Sequence, residues 1–262
     1  MKKPLVSIVI PSYNHSRFLT DAVNSALAQT YRPLEVIVVD DGSTDNTADI
    51  AKKFGSKISY IRQTNQGPSA ARNKGVAAAK GEYLLFLDAD DLLEPGYIEQ
   101  CLEALAANPQ AAYVYTQMKL FGRQNHTTHY PPFDLKKLTK GNFIHIGVLI
   151  PTELVRKFPF DPKFRQWEDW DLYLTLAENG YYGHLLDKPL LNYRKHPEKE
   201  SLIDTLGESL ELEKKMLFLI INKHPKLYGP TAKPVVLLKL FLRRRLPFLV
   251  PSLKRLIGRS NA

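Results

Sequence analysis

Residues 81–91 read GEYLLFLDADD, in which five apolar or aromatic residues in a row lead directly into three aspartates. A short continuous apolar run that follows a turn residue is typical of a strand buried on both faces. Ligands of open α/β sheets bind beyond the carboxyl ends of the strands. The stretch therefore predicts a buried strand, Tyr83–Leu87, that presents Asp88, Ala89 and Asp90 at a ligand site.

Two segments upstream repeat this arrangement of an apolar run followed by a polar turn. The runs are Leu5–Ile10 and Leu34–Val39. Between them, apolar residues are spaced along one face of a predicted helix at Arg17–Gln29. The turn residues that we expect at the same edge of the sheet are Pro11, Tyr13 and Asn14 after the first run, and Asp40 and Asp41 after the second.

The alternation of apolar runs with helical segments predicts an α/β fold, with a mostly parallel central sheet flanked by helices. The regular alternation ends near residue 110, which predicts a mixed region beyond it. Further elements are predicted at Ala112–Phe121 (strand), Glu168–Asn179 (helix), Leu190–His196 (strand) and Ser201–Asn222 (helix). We therefore expect two halves, residues 1–110 and 111–200, followed by a helical basic extension of residues 201–262.

The net charge of +9 is unevenly distributed along the chain. Residues 222–262 contain ten Lys and Arg and no Asp or Glu, so residues 1–221 have a net charge of −1. An anionic partner is therefore expected only at the C-terminal end, and the acidic turns argue against a nucleic-acid-binding protein. The single cysteine, Cys101, excludes an intramolecular disulfide and a multi-cysteine metal site.

The basic extension mixes apolar residues with cations from Pro234 to Gly258, and its apolar runs are too short to span a bilayer. Two interpretations stay open. Its helical segments either lie in an anionic membrane surface, with cations toward the headgroups, or pack on the main domain with a solvated basic face. The first favours a cytoplasmic protein that is peripheral at the inner face of the cell membrane.

Four motifs follow one another between Val6 and Asp91: SIVIPSYN, VIVVDDGSTD, QGPSAARNKG and GEYLLFLDADD. In this order and spacing they resemble the family 2 glycosyltransferases, whose nucleotide-binding half has the Rossmann-like GT-A fold. The resemblance continues more loosely through FDPKF at 160–164 and WEDWDL at 167–172. It implies an inverting enzyme that moves a hexose or N-acetylhexosamine from a nucleotide-sugar, a UDP-sugar in the first instance, to a hydroxyl of a glycan or lipid-linked acceptor in cell-surface polysaccharide or lipopolysaccharide synthesis.

The resemblance also implies a role for each motif residue. On the donor side, Pro11, Tyr13 and Asn14 would contact the base. Asp41 would bind the N–H edge of the base, with Asp40 as a secondary candidate. Asp88 and Ala89 would lie at the ribose and phosphates, and Arg72 would lie near the diphosphate or brace Asp88. On the acceptor side, Asp169 is the general base and Glu168 the runner-up. A divalent cation, Mn²⁺ or Mg²⁺, is expected on Asp90, with Asp88 and His196 as further ligands.

Each motif taken alone also has a plainer structural interpretation. The DADD segment can be an acidic turn that caps a helix, and Glu168 and Asp169 can be first-turn acids that suit the helix dipole. His196 can be a surface histidine or a structural histidine with satisfied hydrogen bonds. The competing function is a non-catalytic nucleotide-sugar-binding scaffold protein, and the presence of both Asp90 and Asp169 counts against it.

Overall fold

The structure is a computed structural model that describes residues 3–196 and 210–229. The chain divides into two compact units, Met1–Glu200 and Ser201–Ala262. The first unit is built on one nine-stranded sheet in the order β3-β2-β1-β4-β8-β6-β9-β5, with β7 paired to β6.

Four strands of the first half pair in parallel and are connected by helices, as the sequence predicts. The strands are β1 (Val6–Ser12), β2 (Leu34–Asp40), β3 (Ser59–Arg62) and β4 (Tyr83–Phe86). The helices are α1 (Ser16–Leu27), α2 (Thr47–Lys52) and α3 (Pro68–Ala78), with a short 3₁₀ turn at Gly55–Lys57. All four strands point their carboxyl ends at one edge of the sheet, where the polar turns follow.

The continuous apolar sequence of β1 reflects burial on both of its faces. Ile8 and Ile10 belong to the core cluster that includes Leu19 of α1. The intervening residue Val9 points to the opposite face, where α3 brings Gly75 against its side chain. A strand covered by helices on both sides is largely apolar on both faces, so its sequence does not alternate. The internal polar residue, Ser7, is buried and donates from its hydroxyl to Glu35 Oε1 at 2.6 Å.

The second half of the first unit is mixed, because β8 is antiparallel to both β4 and β6 whereas β6 and β9 are parallel. The uninterrupted set of parallel strands therefore ends at β4, and parallel pairing returns only between β6 and β9. The strands are β5 (Leu92–Leu93), β6 (Tyr113–Gly122), β7 (His126–Thr127), β8 (Leu149–Pro151) and β9 (Gly183–Lys195). The helices are α4 (Tyr97–Ala107), α5 (Leu135–Leu138), α6 (Thr152–Lys157) and α7 (Glu168–Glu178).

The sequence missed the first half of β9, which begins at Gly183 and not at Leu190. The polar segment Asp187-Lys188-Pro189 has the composition of a loop. In the structure it forms an irregularity opposite Gln117, where the register of β6 and β9 shifts. A bulge of this kind accommodates extra residues without ending the strand, so a loop-like composition occurs inside a strand.

In the second unit, the described residues form helix α8 (Leu210–Lys223) and a following turn. The predicted helix Ser201–Asn222 overlaps α8, but its residues 201–209 lie outside the described part, as does the basic segment 230–262. Across residues 3–196 and 210–229, none of the helices combines the length and the apolar character required to cross a membrane.

The packing of α3 on β1 leads to a first prediction. A methyl group at Gly75 would overlap the Val9 side chain. Alanine gains about 1 kcal/mol of helix propensity, but overpacking a core costs about 1–3 kcal/mol, so we expect Gly75→Ala to lower the free energy of unfolding by about 1 kcal/mol in urea denaturation. Gly141→Ala is the control, since its added methyl meets no atom within 4 Å. Equal stability of the two variants would contradict this close packing.

Candidate functional site

The turns that follow β1 and β2 are joined by Asn14, which has a left-handed backbone with φ of 55°. Its backbone N–H donates to Ser43 Oγ at 3.0 Å, and its side-chain oxygen accepts from the Thr44 N–H at 2.8 Å. Asn14 therefore acts first as a connector of the two turns. Next to it, Tyr13 is 44% exposed and its ring is accessible for stacking, whereas Pro11 is half-buried.

Asp40 holds the second turn together from inside the protein. Its side chain has no exposed surface. One carboxylate oxygen accepts from the Ser43 N–H at 2.8 Å, and the other accepts from the Tyr60 hydroxyl at 2.5 Å. Both oxygens of Asp40 are therefore engaged inside the protein, which gives this residue a structural role in the turn, and its contact with a ligand stays a prediction.

Asp41 organises the loop that leads into α3. The carboxylate is buried and accepts three hydrogen bonds, from Gln63 Nε2 at 2.8 Å, the Gln66 N–H at 2.9 Å and the Gly67 N–H at 2.7 Å. A carboxylate offers about four acceptor positions. Asp41 therefore has capacity for one further N–H donor, such as that of a base, while it holds the loop.

Arg72 connects the turn after β4 with the first turn of α7. Its guanidinium donates to Asp88 Oδ1 at 2.8 Å and to Glu168 Oε1 at 2.5 Å. The Arg72 side chain is only 5% exposed. Burial acts to lower the pKa of Arg72, but the charges of Asp88 and Glu168 outweigh it and raise the pKa. Of the two roles expected for Arg72, this geometry matches the bracing of Asp88, since both terminal nitrogens are already engaged.

The acidic turn after β4 is held by the end of β9. The buried Asp91 carboxylate accepts from the Arg194 N–H at 2.8 Å, and the Arg194 Nε donates to the Asp90 carbonyl at 2.9 Å. Burial, and then the charges of Asp90 and Asp88, raise the pKa of Asp91 well above its ordinary value. Ala89 is buried within this turn. Asp91 is thus a structural anchor that fixes the direction of its neighbours.

Asp90 and His196 meet at this turn. The His196 Nε2 lies 2.8 Å from Asp90 Oδ2, and the imidazole packs on the Phe18 ring at 4.9 Å. Within residues 3–196 and 210–229, no three His, Cys, Asp or Glu side chains are grouped as a metal would require. Carboxylates suit Mn²⁺ and Mg²⁺, and Mg²⁺ commonly takes one or two of them with its remaining ligands from waters and substrate phosphates. The donor set fits a cation that binds together with a diphosphate.

Asp169 stands in the first turn of α7, two residues after Trp167, a residue with a left-handed backbone (φ 64°). One of its oxygens accepts from the Trp170 N–H at 2.7 Å, and the other accepts from Asn142 Nδ2 at 2.9 Å. Burial and the adjacent Glu168 charge raise the pKa of Asp169 to about 7. A carboxylate with this pKa can accept a proton near neutral pH, as a general base must.

The structure adds Asn142, which sequence reasoning did not single out, and it gives a position to Arg194, which lies in the sequence YRKH at residues 193–196. Asn142 orients Asp169, and its own side-chain oxygen accepts from the Ile144 N–H at 3.0 Å. Arg194 holds the acidic turn, and its guanidinium also lies over the Phe18 and Phe121 rings. Sequence reasoning missed Asn142 because it lies in a polar stretch without periodicity, where no local signal marks it.

Removal of the Arg72 charge tests the bridge. Breaking a buried ion pair costs about 3–5 kcal/mol, because the remaining carboxylates are left without a counter-charge. We expect Arg72→Met to lose about that much stability in urea denaturation. Arg72→Lys should lose less, because lysine keeps the positive charge, although its single ammonium cannot serve both carboxylates in parallel. The control is Arg62→Met, since Arg62 is half-exposed and lies 3.7 Å from Asp40. Equal losses in Arg72→Met and Arg62→Met would contradict the bridge.

The raised pKa of Asp169 predicts a pH dependence of stability. Its pKa is about 7 in the folded protein and about 3.9 in an unfolded chain. Between these values the folded state holds a proton that the unfolded state has released, so this contribution to stability is lost as pH rises through the folded pKa. Relative to wild type, Asp169→Asn should therefore melt at increasingly higher temperature between about pH 5 and about pH 8. A pH-independent difference in melting temperature would show that the carboxylate is not perturbed.

Comparison with known proteins places this geometry in a family. The family model "Glycosyl transferase family 2" matches residues 7–162. Chondroitin synthase of Escherichia coli is 32% identical over 228 residues, which are 84% of this chain and 32% of that protein. The chain thus spans about a third of the length of this relative.

Two solved structures share the fold. S. aureus TarS 1–349 in complex with UDP-GlcNAc aligns with a TM-score of 0.67 at 22% identity, over 82% of this chain and 66% of that one. A mannosyltransferase from Pyrobaculum calidifontis, in complex with GDP-Man and Mn²⁺, aligns with a TM-score of 0.63 at 19% identity, over 95% and 73% of the two chains. These likenesses show the GT-A fold. The family model matches more than half of the residues of this chain, so the chain belongs to the family 2 glycosyltransferases.

Proposed function

We propose that the protein is an inverting glycosyltransferase that moves a hexose or N-acetylhexosamine from a UDP-sugar to a hydroxyl of a glycan or lipid-linked acceptor in cell-surface polysaccharide synthesis. Residues 1–110 would form the donor half and residues 111–200 the acceptor half. The observation that carries the proposal is the Arg72 bridge, which brings the acidic turn at Asp88 next to the acid pair of α7. A leaving-group site and a base therefore face one reaction centre.

Asp169 would act as the base. Its two hydrogen bonds, from Trp170 N–H and Asn142, orient the carboxylate, and its pKa of about 7 leaves a substantial ionised fraction at neutral pH. Asp169 would take the proton from the acceptor hydroxyl as that oxygen forms its bond to the anomeric carbon. The bond from this carbon to the diphosphate oxygen breaks on the opposite face, and the nucleoside diphosphate leaves with the electron pair. One such displacement inverts the anomeric configuration.

The donor would lie along the edge formed by the turns after β1, β2 and β4. Tyr13 would stack on the base, and the remaining acceptor position of Asp41 would bind its N–H edge. Asp90 would hold the divalent cation, with His196 and Asp88 as the further ligands. When bound, Mn²⁺ or Mg²⁺ supplies positive charge to the diphosphate. The complexes of fold neighbours with UDP-GlcNAc, and with GDP-Man and Mn²⁺, support this arrangement.

The acceptor class and the location are proposed on separate grounds. Likeness to chondroitin synthase over 84% of the chain supports a polysaccharide acceptor. The ten cations of residues 222–262 support attachment to an anionic membrane surface from the cytoplasmic side. Liposome flotation with and without residues 230–262 tests this attachment, and equal flotation of the two proteins would contradict it.

Calorimetric titration with UDP-, GDP- and dTDP-sugars, with and without Mn²⁺ or Mg²⁺, tests the assigned roles together with transfer assays. Asp90→Asn should weaken metal-dependent donor binding by about tenfold or more, since it loses a charged ligand. Asp169→Asn should leave donor binding nearly unchanged and lower transfer by about 10²–10⁴-fold, the usual contribution of a general base. The control is Asp49→Asn, because Asp49 is an exposed carboxylate paired with Lys52 in α2 and should affect neither readout.

Full transfer activity of Asp169→Asn would show that another group is the base. Retention of the anomeric configuration in the product would contradict the single displacement. Donor binding by the wild-type protein without transfer to any acceptor would favour a nucleotide-sugar-binding scaffold.

A further inference from the structure

A pocket of about 540 Å³ lies beside β6 and the first half of β9, and the proposed chemistry uses none of its residues. Its lining includes Gln117, His129, Tyr130, Phe133 and Asp187. The volume falls within the range of small-molecule sites, about 300–1,000 Å³. We call this cavity the distal pocket.

One wall of the distal pocket continues into an aromatic surface. The Phe133 ring packs on Tyr182 with 5.4 Å between ring centroids. Tyr182 is 44% exposed, an exposure that only Tyr13 equals among the large apolar side chains of the described residues. An aromatic ring of this size normally buries most of its surface. Its exposure beside a pocket indicates a surface suited to stacking against a ring-shaped ligand.

The opposite part of the pocket is polar and is fixed by Gln117. The Gln117 side chain accepts from the Tyr130 N–H at 2.7 Å and donates to Asp187 Oδ1 at 2.8 Å. Both Gln117 and Asp187 stand at the register shift between β6 and β9, and bulges commonly redirect side chains next to binding sites. Asp187 is exposed, and its second oxygen can accept from ligand hydroxyls.

The distal pocket lies on the same face of β6 as the helix that carries the acid pair. Tyr113 stacks on Tyr173 of α7 with ring centroids 5.5 Å apart, and Tyr115, two residues along the strand, donates from its hydroxyl to the Pro131 carbonyl at 2.8 Å. Burial, together with the Asp169 charge, raises the pKa of Tyr130 to about 12. The His145 ring lies 6.3 Å from the Tyr130 ring between centroids, and the His145 carbonyl accepts from the Tyr173 hydroxyl at 2.8 Å, so His145 joins the pocket wall to the helix that carries Asp169.

We propose that the distal pocket binds an uncharged pyranose ring of the acceptor glycan, at a sugar remote from the reacting hydroxyl. This inference rests on the proposed function. A pyranose has an apolar C–H face for Phe133 and Tyr182, and hydroxyls for Asp187 and His129. The pocket lining contains no Lys or Arg and includes Asp187, so it does not suit a phosphate or a carboxylate. Acceptors long enough to reach both sites would bind more tightly than short ones.

Direct binding of oligosaccharides tests the inference without any donor. Chitin and chondroitin oligosaccharides, from disaccharide to octasaccharide, are titrated into the full chain by calorimetry and ligand-observed NMR. We expect affinity to rise with length, and Tyr182→Ala and Phe133→Ala to weaken the octasaccharides by about tenfold, which corresponds to one lost stacking contact. Tyr181→Ala is the matched control, because its ring packs on Phe158 at 5.9 Å and is not part of the pocket lining.

In transfer assays, the same two variants should raise KM for long acceptors and leave donor binding and kcat with short acceptors unchanged. Equal octasaccharide affinity in wild type, Tyr182→Ala and Phe133→Ala would overturn the inference, as would affinity that does not depend on length. The exposed position of Tyr182 makes this variant informative even where Phe133→Ala unfolds. If the wild-type protein binds no donor, the proposed function is contradicted. The pocket would still be supported in that case if wild type binds octasaccharides and Tyr182→Ala does not.

Discussion

The guanidinium of Arg72 shares its charge between Asp88 and Glu168, and the rest of the site depends on this contact. The two carboxylates come from sequence positions 16 and 96 residues away from the arginine. Without the cation, the buried Glu168 and the partly exposed Asp88 would be left without a counter-charge, and their repulsion would separate the turn after β4 from the start of α7. Arginine suits the position because its planar group presents two parallel pairs of donors, which lysine does not.

Around this bridge, the turns at the sheet edge are held by hydrogen bonds within the protein. Asp41 binds the loop before α3 through three donors, Asn14 joins the first two turns, and Asp91 anchors the third turn to β9. A site that is held in place in this way loses little conformational entropy when a ligand binds. The aspartates of the motifs thus divide into those that build the site and those that remain available to a ligand.

The two halves of the sheet serve different purposes. The parallel half is covered by helices on both faces, so its inner strands β1, β2 and β4 are largely apolar and most of the polar residues follow their ends. The mixed half uses short strands, a register shift at Gln117 and a left-handed residue at Trp167 to direct individual side chains. This second half carries both Asp169 and the distal pocket, which agrees with an acceptor half that must match a particular glycan.

The sequence by itself determined the parallel half and the motifs at its edge, because apolar runs, turn residues and helical periodicity are local signals that tertiary contacts did not override. It also placed the acid pair at the start of a helix, which the structure has at Glu168. Only the tertiary structure decided that Asp40 is internal, that Arg72 joins both acids, and that Asn142 orients Asp169, because each of these depends on a partner distant in sequence. The tertiary structure likewise decided the strand at residues 183–189, because a bulged strand can have the composition of a loop. It also decided the pocket beside this strand, because no pattern along the chain indicates a cavity.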